Sequence, residues 1–409
     1  SRSNATEQCD CKMKMGTYHH ALWVLALLAP VLGCENCETS SLLQRAEITE
    51  ARSLSLGLGE AGTVSFSSPE FLKLLPSVDG KMNPIAKPNT SREDCLRMVK
   101  ALAKPHTTMK RPSLIHTGVI IPEGAGTIPG WRDAARKLRL LPMSFLATQD
   151  LENTKLQFWT QTEASHPLIE EIFSPIMKKY GKYIEIKKFD VAAEFAKASR
   201  DKNLTAELVK TFNSLVQPSS KSDLMRYAVL YNYGGAWMDS DVLLVQDLSP
   251  ILGEDWAELM YGNWVNQATL SVSEPGSPFA RACLSHILSK YVDQRWGAYG
   301  PTMMTRMVRD FQSSVAAQTF HVLPFCFFEG AMKNVHFQDQ LPSKWDKFFV
   351  PEKNSTRLEQ KRNYIAPHLE NRSTFGYHWH NRWDVPMGEG STAQAAEALY
   401  CEQLGIALN

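Results

Sequence analysis

Ser222–Leu248, SDLMRYAVLYNYGGAWMDSDVLLVQDL, leaves little freedom in how it can fold. Leu224, Tyr227, Ala228 and Tyr231 recur at i, i+3, i+4 and i+7, which makes one apolar face of a helix. Ser222 is placed to cap that helix, and Asp223 to sit in its first turn, where negative charge suits the helix dipole. Gly234 supplies a left-handed stop, with Gly235 beside it. A short apolar strand then ends in Asp239-Ser240-Asp241, and Val242–Val245 is a further apolar run.

The spacing of the two acids suggests a chemistry. In an extended chain, residues i and i+2 point to the same side, roughly 6.5–7 Å apart at Cα. Asp239 and Asp241 are therefore expected to face one site, with Ser240 turned away. Two carboxylates ~4 Å apart at an effective dielectric of ~20 repel by about 4 kcal/mol. A shared proton, an arginine or a divalent cation must offset that. Oxygen ligands favour a hard ion, Mg²⁺ or Mn²⁺, which keeps positions open for phosphate oxygens. A lone D-x-D is more often a solvated turn, but here apolar runs flank it on both sides. A calcium EF-hand is excluded, because its loop glycine and spaced ligands are missing.

The region around this block alternates. Ser113–Ile121, Lys155–Gln161 and Tyr183–Phe189 read as strands, and His166–Tyr180, Val191–Arg200 and Thr205–Val216 as helices. Glu258–Trp264 and Gln267–Ser273 read as strands after it, followed by a helix over Phe279–Tyr291. Alternating strands and helices imply an α/β fold with one mainly parallel sheet. Ligands of such sheets bind beyond the strand carboxyl ends, where Asp239 and Asp241 are expected.

Three pieces of the block, Ser222-Asp223-Leu224-x-Arg226-Tyr227, Leu230-Tyr231-x-Tyr233-Gly234-Gly235 and Trp237-Met238-Asp239-Ser240-Asp241-Val242, resemble the signature of retaining glycosyltransferases of family 32. Tyr299-Gly300-Pro301-Thr302-Met303-Met304-Thr305-Arg306 and Tyr377-His378-Trp379-His380-Asn381 resemble later segments of the same family, so the likeness covers about 111–409. It implies a Rossmann-like GT-A fold that moves a hexosyl unit from a nucleoside diphosphate sugar to a glycan or glycolipid hydroxyl. UDP-hexose is favoured over GDP-mannose. The implied catalytic residues are Asp239, Asp241, Arg226 and Asp223. The implied donor contacts are Asp223, Arg226, Trp237 and Asp239. Asp239, Asp241, His378 and His380 are the implied ligands of Mn²⁺ or Mg²⁺. Asn266 and Gln267 fall where relatives carry polar residues near the reacting carbon, although a plain surface position explains them better. The resemblance further implies front-face substitution, in which the departing phosphate helps to deprotonate the acceptor.

The bland readings differ. Asp223 and Arg226 would be a helix-surface ion pair of little worth. His378 and His380 would share the edge of a strand around Trp379. His116, inside the first strand, reads as a core histidine and not as a ligand. A phosphohydrolase of the haloacid dehalogenase type also uses D-x-D after an apolar strand, but Leu243 stands where that motif carries Thr or Val. A non-catalytic carbohydrate-binding protein on the same fold is the other alternative.

Composition fixes the setting. The chain has 409 residues and a formal charge of +1, with no basic stripe to suit nucleic acid. Ala21–Gly33, preceded by Lys12 and Lys14, has the pattern of a signal peptide with Cys34 after the cleavage site. It is short for a membrane span, although residues 18–33 would anchor the chain if left uncleaved. Met13 or Met15 would start such a leader. Six cysteines follow it: Cys34, Cys37, Cys95, Cys283, Cys326 and Cys401. An even number in a secretory chain suggests disulfides, with 15 possible pairings for six. Acceptor sequons at Asn89, Asn203, Asn354 and Asn371 agree with a lumenal setting, the Golgi above all. The expected organisation is a leader over 1–33, a stem over 34–110 containing a helix capped by Thr90-Ser91-Arg92-Glu93, and the glycosyltransferase domain over 111–409.

Overall fold

The computed structural model describes residues 98–99, 102, 113–121, 131–199, 201–260, 264–288, 297–312, 320–328, 345–346, 348–351 and 374–407. The leader, nearly all of the stem and three of the four sequons lie outside these residues; Asn203 lies within them and is exposed. Met98, Val99 and Leu102 are helical and buried against the domain core, so the end of the stretch read as stem packs on the domain. No described helix is long and apolar enough to cross a membrane.

The chain runs β1 (Ser113–Val119), α1 (Trp131–Thr148), β2 (Thr154–Thr160), α2 (Pro167–Tyr180), β3 (Ile184–Lys188), α3 (Val191–Ser199), α4 (Lys202–Ser214) and α5 (Pro218–Tyr233). It continues through β4 (Gly235–Met238), β5 (Val242–Leu244), β6 (Asp255–Met260), β7 (Trp264–Val272), α6 (Pro278–Leu288), α7 (Pro301–Gln312), β8 (Phe320–Leu323), β9 (Gly376–His378) and α8 (Thr392–Leu404). Seven strands form one sheet in the order β3-β2-β1-β4-β7-β6-β8, and β5 pairs with β9 in a separate ribbon. Only β7 runs against the other six strands. The mainly parallel α/β sheet expected from the alternation is therefore present.

Two apolar cores lie on opposite faces of the sheet. One gathers α1, α2, α8 and the β5–β9 ribbon; the other gathers α3 through α7. β1 lies inside the sheet and is buried without a break from Ile115 to Gly118, as a strand covered on both faces should be. Its inward histidine is a core residue, as expected. His116 Nε2 donates to the Gly234 carbonyl at 2.8 Å, and Nδ1 accepts from Trp159 Nε1 at 3.2 Å. Burial pushes its pKa down to about 4, so the ring stays neutral.

The chain goes outward from β1 to β2 and β3, then returns to lay β4 on the other side of β1. That reversal opens a crevice between the carboxyl ends of β1 and β4. The return is made by α5, and its stop depends on two glycines. Gly234 (φ 67°) and Gly235 (φ 85°) both adopt conformations that disfavour side chains. A Cβ on Gly235 would also collide with the Leu114 carbonyl on β1. The tight turn thus brings β4 into register with β1, Ile115 opposite Ala236.

The start of α5 differs from expectation. The helix begins at Pro218, with Gln217 at the cap position, and Ser222 lies inside it. Proline at the first helical position is a start signal in its own right. Asp223 consequently sits in the second turn, and residues Asp223 through Leu230 are buried without interruption. Two apolar segments of the domain were not resolved by periodicity at all: α1, which carries buried Lys137 and Arg139 and an internal Pro142, and α8, whose alanines are buried nearly all round. Of the described cysteines, Cys326 is disulfide-bonded, whereas Cys283 and Cys401 are free thiols.

Candidate functional site

β4 ends at Met238, and the two acids lie in the turn that follows, closed by Val242 N–H donating to the Asp239 carbonyl at 2.9 Å. They are not on an extended strand, so the geometric premise for a shared face is replaced. What brings their charges together is the turn itself, which leaves the main sheet at Asp239 and enters the β5–β9 ribbon after Asp241.

Asp239 is held from the α5 side. Its Oδ1 accepts from Arg226 Nη2 and, at 2.7 Å, from Trp237 Nε1. Arg226 Nη1 reaches Asp223 Oδ1 at 3.1 Å, and Gln267 Nε2 donates to the same oxygen at 2.9 Å. The guanidinium also lies 5.5 Å from the centre of the Trp237 ring. Asp223 is 6% exposed and Arg226 2%, so the helix-surface reading of this pair is overturned: it is a buried network. Asn266 and Gln267 are likewise buried, at 5% and 4%, so the surface position expected for them is overturned as well.

Gln267 reaches Asp223 because of an irregularity in the sheet. Ala257 pairs with Leu270, but Glu258 pairs with Asn266, so residues 267–269 bulge out of the β6–β7 ladder. The bulge meets the acidic turn, where Asp239 N–H donates to the Ala268 carbonyl at 2.7 Å. Bulges of this kind re-aim side chains beside functional sites. Gly300 closes the other side, since a Cβ there would lie 2.6 Å from Gln267 Nε2 and 3.4 Å from Asp223 Oδ2. The buried Tyr227 hydroxyl fixes that approach by donating to the Tyr299 carbonyl at 3.1 Å. The sequence offered no reason to expect Tyr227, Gln267 and Gly300 to meet.

Asp241 is held from the opposite side. Its Oδ2 accepts from the Asn381 backbone N–H at 2.6 Å and lies 3.2 Å from His378 Nε2. The β5–β9 pairing sets this up by placing Val242 opposite His378. β9 ends at His378, and His380 and Asn381 follow with left-handed φ values of 53° and 56°. The two histidine rings still come together, with centroids 3.9 Å apart, but through this turn and not along a strand edge. His380 stacks on Trp345 at 3.6 Å, while Trp379 points into the core against Phe349 and Trp383.

The electrostatics follow the partners. Burial pushes the Asp223 carboxyl up to about 6, against the pull of Arg226 and Gln267. Burial also raises Asp239; Arg226 opposes this and the charge of Asp241 adds to it. Burial acts on Asp241 in the same sense, yet His378, the Asn381 N–H and His380 together hold it below the usual carboxylate range.

Among the described residues, no three His, Cys, Asp or Glu side chains stand as a preassembled metal set. The donors nevertheless fit a divalent cation. Asp241 and His378 are already adjacent, His380 stacks against His378, and carboxylate with imidazole suits Mn²⁺ better than Ca²⁺. Asp223, Arg226, Trp237, Asp239 and Gln267 thus form one group and Asp241, His378 and His380 a second, joined by the Asp239–Asp241 turn, whereas Asn266 Oδ1 accepts from the Ala268 N–H at 3.2 Å.

A family model described as the glycosyltransferase sugar-binding region containing the DXD motif matches residues 152–257. A second, the α1,4-glycosyltransferase conserved region, matches residues 272–403. The chain belongs to the DXD glycosyltransferases of family 32. Among its relatives is the α1,4-N-acetylglucosaminyltransferase of Homo sapiens, 32% identical over 88 residues that make up 22% of this chain and 25% of that one. Lactosylceramide 4-α-galactosyltransferase of Mus musculus is 24% identical over 157 residues, 38% of this chain and 42% of that one. The chain thus spans less than half the length of these curated relatives. Among solved structures, mouse xyloside xylosyltransferase 1 aligns with 68% of this chain and 99% of its own at 12% identity and a TM-score of 0.38. In this family-32 chain, both signature regions converge on one place: the first supplies Asp223, Arg226, Asp239 and Asp241, and the second supplies Gly300, His378 and His380.

Proposed function

We propose that the protein is a retaining hexosyltransferase that uses a nucleoside diphosphate sugar, UDP-hexose in the first instance, and a divalent cation. The acceptor is a hydroxyl of a glycan or glycolipid. The observation that carries this reading is the convergence of a buried Asp223–Arg226–Asp239 network and an Asp241–His378 pair on one turn at the sheet's switch point.

The bond from the anomeric carbon to the diphosphate breaks, and a bond to the acceptor oxygen forms. The acceptor proton leaves with a phosphate oxygen of the departing nucleotide. Negative charge builds on the diphosphate as it leaves, and a bound Mn²⁺ supplies the countercharge. Asp241 and His378, with His380 beside them, are the residues that would hold that ion. Asp223 and Arg226, locked by Gln267 and Asp239, present fixed acceptor and donor groups to hydroxyls of the donor sugar. Such preorganisation avoids reorganisation during the reaction. The relatives named for N-acetylglucosaminyl and galactosyl transfer support a hexosyl donor here, and the one named for lactosylceramide supports a glycolipid acceptor. The disulfide at Cys326 and the leader-like segment support a lumenal location in the secretory pathway, where thiols oxidise.

The test is a panel of UDP- and GDP-sugars assayed for hydrolysis and transfer with Mn²⁺ and with chelator. One UDP-hexose turned over only with metal, and lost in Asp241→Asn, supports the reading. Turnover undiminished by chelation refutes the metal role, and cleavage of phosphomonoesters in place of sugar nucleotides refutes the transferase reading.

A further inference from the structure

The two histidines expected to hold the cation lie at the end of β9 and just beyond it, in a part of the chain far from the Asp239–Asp241 turn in sequence. His380 and Asn381 adopt left-handed conformations that non-glycine residues rarely take, and the two are adjacent. Such a turn persists only where its surroundings over-determine it. Its correct form matters, because it aims the Asn381 N–H at Asp241 Oδ2.

The chain just beyond this turn is gripped by one buried cation from α1. The Lys137 side chain is wholly buried, and its ammonium donates to the carbonyls of Arg382 at 2.9 Å, Trp383 at 3.1 Å, and Val385. It lies 4.4 Å from the centre of the Phe349 ring. Asp133, one helical turn earlier, sits 3.3 Å from the ammonium and accepts from the Met387 N–H at 3.0 Å. The ammonium has three hydrogens, and three carbonyls of one loop with one carboxylate surround it. Apolar packing would serve a purely structural contact at lower cost, since burying a charge is expensive unless every donor is used. This ammonium instead acts as an internal counter-ion for a loop whose carbonyls would otherwise turn inward unpaired.

We propose that Lys137, supported by Asp133, is a positioning residue for the cation site: it fixes the His380–Asn381 turn, and through it the His378–Asp241 pair, in the geometry that takes up the metal before donor binds. This rests on the proposed metal role of Asp241 and His378. Residues that orient ligands from behind change metal affinity by roughly 10–100-fold when altered.

The test uses the full chain and three variants. Lys137→Met keeps the length and removes the charge. Asp133→Asn keeps an acceptor for Met387 and weakens the ammonium's support. Arg136→Met breaks the neighbouring 2.5 Å pair between α1 and Glu397 on α8, and serves as a control for general loosening of α1. Amide exchange over residues 376–388 is measured without metal, and the Mn²⁺ half-saturation of UDP binding by calorimetry. Lys137→Met is expected to exchange at least about tenfold faster there and to need at least about tenfold more Mn²⁺, with turnover at saturating Mn²⁺ within about twofold of wild type. Asp133→Asn should fall between, and it decides the matter if Lys137→Met fails to fold. Unchanged exchange and unchanged Mn²⁺ demand in a folded variant overturn the proposal, as does an equal effect from Arg136→Met. If wild-type UDP binding ignores Mn²⁺ while Lys137→Met still speeds exchange, the metal reading fails and the clamp survives only as a structural contact.

Discussion

Replacing Arg226 by methionine removes the only cation that the structure places between Asp223 and Asp239 among the described residues. At ~3 Å and an effective dielectric of ~20, each contact has a gross Coulomb energy of about 5 kcal/mol. Most of that offsets the cost of burial, so breaking the pair should destabilise the fold by about 3–5 kcal/mol near neutral pH. The loss has a pH signature. Asp223 is raised to about 6 in the native state, so it binds its proton more tightly folded than unfolded. Its contribution to stability therefore falls as pH rises from the unfolded value of about 4, and in wild type the fall ends near pH 6. Without Arg226 the carboxyl keeps its proton to higher pH, and the fall continues at about 1.4 kcal/mol per pH unit. Between pH 6 and pH 7.5 the gap between wild type and Arg226→Met should widen by about 2 kcal/mol. Urea unfolding followed by tryptophan fluorescence at the two pH values reads this directly. A loss under about 1 kcal/mol at pH 7.5, or a gap that stays constant from pH 6 upward, would show that Arg226 does not neutralise these acids.

Three further outcomes follow from the same geometry. Asp241→Asn keeps an acceptor for the Asn381 N–H but removes the carboxylate charge assigned to the ion; transfer should fall at least about 100-fold while thermal unfolding shifts little, and a melting loss that matches the activity loss would refute a role beyond folding. Gly300→Ala puts a Cβ 2.6 Å from Gln267 Nε2; stability should drop by about 1–3 kcal/mol and donor KM should rise, and unchanged donor kinetics would remove Gln267 and Asp223 from the sugar pocket. In wild type, kcat/KM for donor should fall as pH drops through about 6, where Asp223 takes up a proton; Asp223→Asn should lack this acid limb, and a limb that persists would assign it to another group.

How much of this was legible depended on whether the signal was local. The Gly-Gly stop, the short strand and the acids after it are local, and each appears where its residue types require. The strand–helix alternation from Ser113 to Val272 is local as well, since buried strands and amphipathic helices write their periods into the sequence. α1 escaped because Arg136, Lys137 and Arg139 break its apolar period, and their positions make sense only once their partners are in place: Glu397 on α8 for Arg136, the loop at 382–387 for Lys137, and the Glu171 and Ile172 carbonyls on α2 for Arg139. The start of α5 was misplaced because Ser222 and Asp223 look like a cap, while Pro218 four residues earlier already begins the helix. Asp223 and Arg226 looked like a surface pair for the same reason: helical spacing says which residues are neighbours, but not whether a bulge in β7 will cover them.

The structure also changes the problem that the two acids pose. From sequence, their repulsion called for a single agent between them. In the fold each acid has its own: Arg226 and Trp237 for Asp239, and the Asn381 N–H with His378 for Asp241. These two sets of partners are not equivalent. Drawing Asp239 toward an ion would leave a guanidinium that is 2% exposed with Asp223 as its one carboxylate among the described residues. Asp241 is held by a backbone N–H and an imidazole, and the imidazole can itself turn from hydrogen-bond partner to ligand. On the proposed reading, Asp241 is therefore the acid that meets the cation, and Asp239 serves by fixing Arg226 against the donor. Asp239→Asn should then weaken donor binding more than it raises the Mn²⁺ requirement, and Asp241→Asn should do the reverse. The same Mn²⁺ titration run on both variants compares them directly, and equal shifts in metal demand would return the two carboxylates to a single shared role.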